Sequence, residues 1–251
     1  MKNLSPSQNE YFYSGNELFS YKGNNKFQRK EFQKSVYGIS SRNIEQRVLL
    51  DLLLDDSISV ITASGPAGTG KTLLGLAAGF EKLSKKVFEN ILVSRREIGA
   101  DQEEQGFLPG DSNAKSAPYM APFIDNLKVI KNAKASNVNN LKKMSGENTY
   151  PFEILSMMYL RGRTLSNSFI IIDEAQNLTP SLVKTIITRA GEGTKILFCG
   201  DLDQVDDKYL RKNLNGLSYL MENLKNHSIY GHIALREIER SPLAKLGTLL
   251  P

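Results

Sequence analysis

Short apolar runs recur along the chain, and each has the length and composition of a buried β-strand. The most apolar of them, FIIID, has no polar residue before its final aspartate, which is typical of a strand covered on both faces. We predict strands over residues 57–64, 90–95, 169–173, 194–201 and 228–235.

Segments with a helical period separate these strands. In the stretch SRNIEQRVLLDLLLDD, apolar residues such as Ile44, Val48 and Leu52 recur on one helical face. Thr179 followed by Pro180 is a favourable helix start, because threonine caps the first turn and proline fits within it. We predict helices over residues 41–56, 71–84, 118–132, from 180 onward, 214–224 and 242–250.

Strands that alternate with helices predict an α/β fold, with a mostly parallel sheet and helices on both faces. Three segments lack a regular period, namely residues 1–40, 96–117 and 132–150. We interpret residues 1–40 as a basic, aromatic N-terminal arm that is partly ordered, and residues 41–251 as the folded domain. The last segment, rich in asparagine and lysine, is expected to be mobile.

The composition, with 40% apolar and 24% charged residues, is that of an ordinary soluble globular protein. The apolar runs are too short to span a membrane, and the N-terminus shows no secretion signal, so we expect no membrane partner. The single cysteine, Cys199, cannot form an internal disulfide, which fits a reducing cytoplasm.

The net charge is +5, and the basic residues are clustered. Residues 22–47 contain seven basic and two acidic residues, and residues 128–143 contain five lysines and no acidic residue. Such clusters can follow a phosphate backbone, or they can simply form a solvated surface. Both interpretations stay open.

The stretch GPAGTGKT fits the phosphate-binding pattern G-x-x-x-x-G-K-[ST] at every fixed position, and it lies between a predicted strand and a predicted helix. In this pattern the backbone N–H groups surround phosphate oxygens, the lysine reaches the outer phosphates, and the final hydroxyl holds Mg²⁺. The predicted nucleotide-binding residues are Gly65, Pro66, Ala67, Gly68, Thr69, Gly70, Lys71 and Thr72.

The stretch IIIDEAQ supplies the second half of a nucleotide site. Asp173, at the end of a buried strand, is placed to hold Mg²⁺ together with Thr72. Glu174 beside it can position and polarise an attacking water, so the pair indicates hydrolysis rather than a kinase reaction. In FCGDLDQVD, Asp201 and Gln204 follow another strand. The Gln204 amide can contact the γ-phosphate or the water, and an ordinary polar loop fits this motif equally well.

With these motifs assembled, the chain resembles the PhoH family from about Tyr37 to the C-terminus. The stretches that show the resemblance are GPAGTGKT, GFLPGD, YLRGRTLSNSFIIIDEAQNLTP, TRAGEGTKILFCGDLDQVD and ERSPL. The stretch YGISSRNIEQRVLLDLLLDD is similar to the lead-in of members that have an N-terminal PIN nuclease domain. The 40-residue arm is shorter than such a domain, so we expect a compact, phage-type form and carry over no ribonuclease activity.

The resemblance implies a RecA-like core related to the first motor domain of superfamily 1 helicases, with ATPase activity and an RNA-linked role. It implies that Gln46 reads adenine, that Gln204 senses the γ-phosphate, and that Arg240 contacts the γ-phosphate. It further implies a homo-oligomeric ring, most simply a hexamer, in the cytoplasm or, for a phage protein, in the host cytoplasm.

A single RecA-like domain covers one side of a nucleotide, so an arginine from a neighbouring subunit is expected to complete the site. The candidate arginines are Arg95, Arg161, Arg163, Arg189 and Arg240.

Two functions stay open at this point. The first is an oligomeric ATPase that binds and moves single-stranded RNA or DNA, with Phe27, Phe32 and Tyr37 of the arm as stacking groups. The alternative is a nucleotide-dependent switch or assembly protein that acts on a protein partner without translocation.

Overall fold

The computed structural model describes residues 6–14, 17–31, 33, 35–95, 112–133, 150–155, 157, 162–206, 210–212 and 214–239, with side chains in 112–133 described from Met120 onward. The first elements are strands β1 (Tyr11–Ser14), β2 (Glu17–Tyr21) and β3 (Phe27–Arg29). They are followed by α1 (Ile44–Leu54), β4 (Val60–Ser64), α2 (Lys71–Ser84), β5 (Asn90–Arg95), α3 (Ser112–Ala133) and β6 (Glu153–Ile154). The remaining elements are β7 (Ser168–Asp173), a 3-10 helix (Ala175–Asn177), α4 (Pro180–Arg189), β8 (Lys195–Gly200), α5 (Gly216–Asn223) and β9 (Tyr230–Ala234).

A six-stranded sheet has the strand order β6-β5-β7-β8-β4-β9, and each neighbouring pair is parallel. Strand β8 therefore lies between β4, which leads into the glycine-rich loop, and β7, which ends at Asp173. The register pairs Ser64 with Gly200 and Arg95 with Asp173, so these strands end at the same edge of the sheet. This is the arrangement of a RecA-like P-loop core, and the predicted fold class is confirmed.

Two apolar cores lie on opposite faces of this sheet. Successive residues of a strand point to opposite sides, so Phe169 and Ile171 belong to one core, and Ile170 and Ile172 belong to the other. Helices α1, α2 and α3 cover the first face, and α4 and α5 cover the second. The continuous apolar sequence of β7 follows from this double burial.

The central strands and helices agree with those predicted from the sequence, with differences at their ends. Helix α3 begins at Ser112, within the segment that was predicted to lack a period, and β6 was not predicted at all. The predicted helix over 242–250 and most of the predicted loops over 96–117 and 132–150 lie outside the described residues. Within the described ranges, no helix is long and apolar enough to cross a membrane.

No strand is predicted from the sequence in residues 1–40, whereas β1, β2 and β3 form an antiparallel sheet here. Leu18 and Ser20 alternate as the buried residues of β2, so the strand period is present. The strands have only three to five residues, so the alternation of buried and exposed residues repeats only once or twice in each of them.

This N-terminal sheet is held against α1 and β9 by polar contacts. The Asn9 amide donates to the carbonyl oxygens of Ser228 at 2.9 Å and Tyr230 at 2.8 Å. Lys30 is nearly buried and lies 2.9 Å from a carboxylate oxygen of Asp51. The Tyr11 hydroxyl donates to the same carboxylate.

The basic residues of segment 22–47 are thus partly used inside the chain. Lys22 pairs with Asp55 at 3.2 Å, as Lys30 does with Asp51, and Arg29 pairs with Glu17 at 2.8 Å. These ion pairs attach the sheet to α1 or neutralise charge within it. The segment is therefore not a uniform phosphate-binding stripe.

We predict that Lys30→Ala lowers the free energy of unfolding by about 1–2 kcal/mol, because it leaves the Asp51 carboxylate without its nearly buried cation. Lys26→Ala is the matched control, since Lys26 is exposed in the turn between β2 and β3, and we expect a change within about 0.5 kcal/mol. Urea unfolding followed by circular dichroism measures both. Equal effects of the two substitutions would contradict the structural role of Lys30.

Candidate functional site

A cavity of about 900 Å³ lies where β4, β5, β7 and β8 end. Its lining includes the glycine-rich loop, the end of β7, the start of α1 and one side of α3. The carboxyl ends of parallel strands are the usual ligand-binding edge of an open α/β sheet. The volume is within the range of ordinary small-molecule sites.

The glycine-rich loop has the backbone shape that its sequence predicted. Gly65, Gly68 and Gly70 have φ values of 139°, 86° and 92°, which are unfavourable for other residues. At Gly65 a Cβ atom would lie 1.9 Å from the carbonyl oxygen of Leu235, so the backbone after β9 packs directly on the loop. Helix α2 begins at Lys71 with Gly70 as its N-cap, which leaves its first N–H groups for an anion.

The Lys71 ammonium is held inside this loop. It donates to the carbonyl oxygens of Gly65 at 2.6 Å and Pro66 at 2.9 Å. Burial lowers the pKa of Lys71, and the neighbouring anionic groups oppose this effect. The loop thus keeps the lysine directed into the cavity with oxygen acceptors that a phosphate can replace.

The two predicted magnesium ligands come together. The Thr72 hydroxyl lies 3.3 Å from an oxygen of Asp173, whose side chain is buried. Burial and the adjacent Glu174 raise the pKa of Asp173, while Arg95 and Lys71 counteract them. Hydroxyl and carboxylate oxygens are ligands that Mg²⁺ prefers, and they leave its other positions to phosphate and water.

Glu174 follows the last residue of β7 and has a left-handed backbone conformation, with φ of 53°. One of its oxygens accepts from the Arg95 guanidinium at 2.9 Å, and the other accepts from the Gln176 amide at 2.6 Å. Arg95 also lies 3.4 Å from Asp173, its register partner in the sheet. Arg95, one of the candidates for completing a neighbour's site, thus contacts both acidic residues of its own chain's site.

Gln176 is a site residue that the sequence reasoning missed. It is fully buried, and its amide bridges Glu174, the backbone oxygen of Gln204 at 3.0 Å and the backbone N–H of Asp201 at 3.1 Å. The loop after β8 is thereby joined to the end of β7. A glutamine two residues after the aspartate–glutamate pair was the available signal, but only the contacts show its use.

Gln46 lies at the start of α1 and contacts the glycine-rich loop. Its amide nitrogen donates to the Thr69 carbonyl at 3.0 Å, and its amide oxygen accepts from the Arg42 N–H at 2.8 Å. One N–H and one acceptor position of the amide remain, which is the pair that an adenine edge can match. Gln204 is exposed and also lines the cavity.

Of the other predicted arginines, the two within the described residues do not line the cavity. Arg163 is exposed, and Arg189 is partly buried at the end of α4. Arg161 and Arg240 lie outside the described residues. The backbone N–H of Glu239 donates to the Gly68 carbonyl at 3.0 Å, so the described chain ends against the glycine-rich loop.

The family model of PhoH-like proteins matches residues 38–248. The chain is 43% identical over 212 residues to protein PhoH2 of Bacillus subtilis, which covers 84% of this chain and 47% of the relative. It is 33% identical over 216 residues to PhoH2 of Mycolicibacterium smegmatis, and the match covers 86% of this chain and 48% of that relative. The chain thus spans about half the length of these relatives.

Among solved structures, the Pif1 helicase from Candida albicans is similar at 19% identity and a TM-score of 0.40, over 80% of this chain and 41% of that one. A Bacteroides Pif1 helicase in complex with ADP-AlF3 and single-stranded DNA has 17% identity and a TM-score of 0.36, and the match covers 81% of this chain and 44% of that one.

Proposed function

The chain belongs to the PhoH family, and we propose that it is an oligomeric ATPase that binds Mg²⁺ with ATP and acts on single-stranded RNA or DNA. The observation that carries this proposal is the convergence of Lys71, Thr72, Asp173 and Glu174 on one cavity. Each of these residue types has a separate role in phosphoryl transfer to water. The cytoplasm is the location that we propose, since Cys199 is buried as a free thiol.

Phosphate binding follows from the loop geometry. The N–H groups at the start of α2 and the Lys71 ammonium present positive charge to the same space. Lys71 exchanges two neutral carbonyl acceptors for charged phosphate oxygens, and hydrogen bonds to charged acceptors are stronger. Mg²⁺ neutralises charge on the outer phosphates when bound, and Thr72 and Asp173 are the residues that would hold it.

Glu174 is the proposed general base. Each of its oxygens accepts one hydrogen bond, from Arg95 or from Gln176, and each keeps a further position that a water can use. The two contacts hold the carboxylate in one orientation before substrate binds, which is how a positioned base contributes to rate. Gln176 also ties this carboxylate to the loop of Gln204, the proposed γ-phosphate sensor.

Completion of the site between subunits is a further part of the proposal. Arg42 pairs with Glu239, and Arg95 pairs with Asp173 and Glu174. The positive charges of these two arginines are therefore already compensated by acidic side chains. Charge that develops on the γ-phosphate needs additional positive charge, and an arginine finger is worth on the order of 10³ in rate. A neighbour in a closed ring can supply it, and the resemblance favours a hexamer.

The alternative, a nucleotide-dependent switch without translocation, is favoured by one observation. Lys22 and Lys30 of the basic segment serve ion pairs to α1, which weakens the charge argument for nucleic acid. ATPase turnover with and without single-stranded RNA separates the two functions. Stimulation by RNA supports the first, and unchanged turnover supports the switch.

We predict that Lys71→Ala abolishes tight nucleotide binding, because the outer phosphates lose their buried cation. Glu174→Gln keeps nucleotide binding and lowers turnover by about 10²-fold or more, because it removes the base and leaves the phosphate loop unchanged. Equilibrium binding of a fluorescent ATP analogue and steady-state phosphate release measure the two effects. Hydrolysis by Glu174→Gln at the wild-type rate would refute the proposed role of Glu174.

We predict that Gln46→Ala weakens ATP binding more than GTP binding. Both nucleotides lose the support that Gln46 gives to the Thr69 carbonyl, and only ATP loses a donor–acceptor pair matched to its base. Competition binding with the two nucleotides measures the ratio. An equal loss for both would assign Gln46 to the positioning of the loop alone.

We predict that mixed oligomers of two inactive variants recover activity when the second variant lacks an arginine that acts in trans. A Lys71→Ala chain can lend its intact arginine to a neighbour that carries Arg163→Ala, Arg161→Ala or Arg240→Ala and has an intact loop. Lys71→Ala mixed with Arg95→Ala is the matched control, because Arg95 serves its own chain and gives no rescue.

Light scattering establishes that the mixed oligomers form, and phosphate release measures their activity. Full activity of a monomer, or no rescue by any of the arginine variants in verified mixed oligomers, would refute completion between subunits.

A further inference from the structure

The outer face of the N-terminal sheet presents a group of aromatic residues. Leu18 and Ser20 of β2 are buried, so the alternate residues of that strand lie on the opposite face. The register places Phe12 opposite Phe19 and Phe27 opposite Tyr21 on this outer face. We call these four residues, Phe12, Phe19, Tyr21 and Phe27, the aromatic face.

Phe27 is the most accessible member of the aromatic face. Its side chain is 54% exposed, while its ring lies 6.1 Å from that of Phe12 and 5.2 Å from that of Tyr21. Phe27 is thus close to two other rings and is still more than half exposed. A large apolar side chain with this exposure has a cost in water that a stacked ligand would remove.

The charge around the aromatic face is positive. Residues 17–30, which form the β2–β3 hairpin, contain four basic residues and one acidic residue. Lys22 and Lys30 are directed to α1. Arg29 is exposed and pairs in register with Phe19 of the aromatic face, and Lys26 is exposed in the turn that precedes Phe27. Arg29 pairs with Glu17, but both side chains are largely exposed, and such surface pairs are weak.

We propose that the aromatic face is a stacking platform for bases of single-stranded nucleic acid, with Lys26 and Arg29 on the adjacent phosphates. Aromatic rings on a sheet face, flanked by cations, are a general means of holding unpaired bases. The sheet lies outside residues 38–248, the part of the chain that the family model matches. The inference rests on the proposed function, since it names the surface that would hold the nucleic acid.

The absence of tryptophan from the chain gives a direct test of this site. Phe27→Trp places a single indole on the aromatic face, and a stacked base quenches its fluorescence. Tyr13→Trp is the matched control, because Tyr13 is 60% exposed in the same sheet but pairs with the buried Leu18 on the other face. We expect a 12-nucleotide oligouridine RNA or oligothymidine DNA to quench Phe27→Trp and to leave Tyr13→Trp nearly unchanged.

Affinity measurements separate stacking from charge. We expect Phe27→Ala to weaken binding of either oligonucleotide about tenfold at low salt, with the salt slope unchanged. Lys26→Gln is expected to reduce that slope by about 0.7, as for one lost phosphate contact. A difference between the RNA and the DNA oligonucleotide identifies which nucleic acid the face prefers.

The outcomes distinguish this site from the proposed function. A wild-type chain that binds neither oligonucleotide at low salt overturns the nucleic-acid part of the proposed function and this site together. Binding that is unchanged in Phe27→Ala, with no quenching of Phe27→Trp, overturns the site alone. Loss of self-association in Phe27→Ala, measured by light scattering with nucleic-acid affinity retained, would assign the face to a second copy of the chain and refute the platform.

Discussion

The parallel pairing of β4, β7 and β8 is the constraint on which the site depends. Because the strands run in one direction, the residues that follow each of them meet at one edge of the sheet. Ser64 and Gly200 end level, and Arg95 ends level with Asp173. A shift of register by one residue would turn Asp173 toward a core and separate it from Thr72. The backbone hydrogen bonds of the sheet thus set how far apart the side chains of the site lie.

Helix α1 joins this edge to the rest of the molecule. Its first turn holds Gln46, which supports the glycine-rich loop. Asp51 in its last turn and Asp55 directly after its end bind the N-terminal sheet. A helix of eleven residues is about 16 Å long, so the two attachments are well separated. The nucleotide cavity and the aromatic face therefore share one rigid element.

The sequence allowed the central fold to be predicted because its strands are long, apolar and separated by helices with a clear period. GPAGTGKT and IIIDEAQ have fixed spacings, so the contact between Thr72 and Asp173 followed from their positions after parallel strands. The N-terminal strands were missed because three to five residues are too few for the alternation of a strand to be recognised. The ion pairs of Lys30 and Arg95 were missed for a different reason. From sequence alone a basic residue is predicted to be exposed to solvent, and only the fold shows which acidic side chain it contacts.

Arg95 shows how the fold limits the choice of the arginine that, in our proposal, a neighbour supplies. It ends β5 beside Asp173, and the sheet register alone brings it to Glu174 in every copy of the chain. To reach a second site, an arginine held in this way would have to leave Asp173 and Glu174 of its own chain. A residue that acts in trans must instead be exposed in its own chain and lie outside the sheet edge. Among the candidates in the described residues, Arg163 meets both conditions, whereas Arg189 is partly buried on α4.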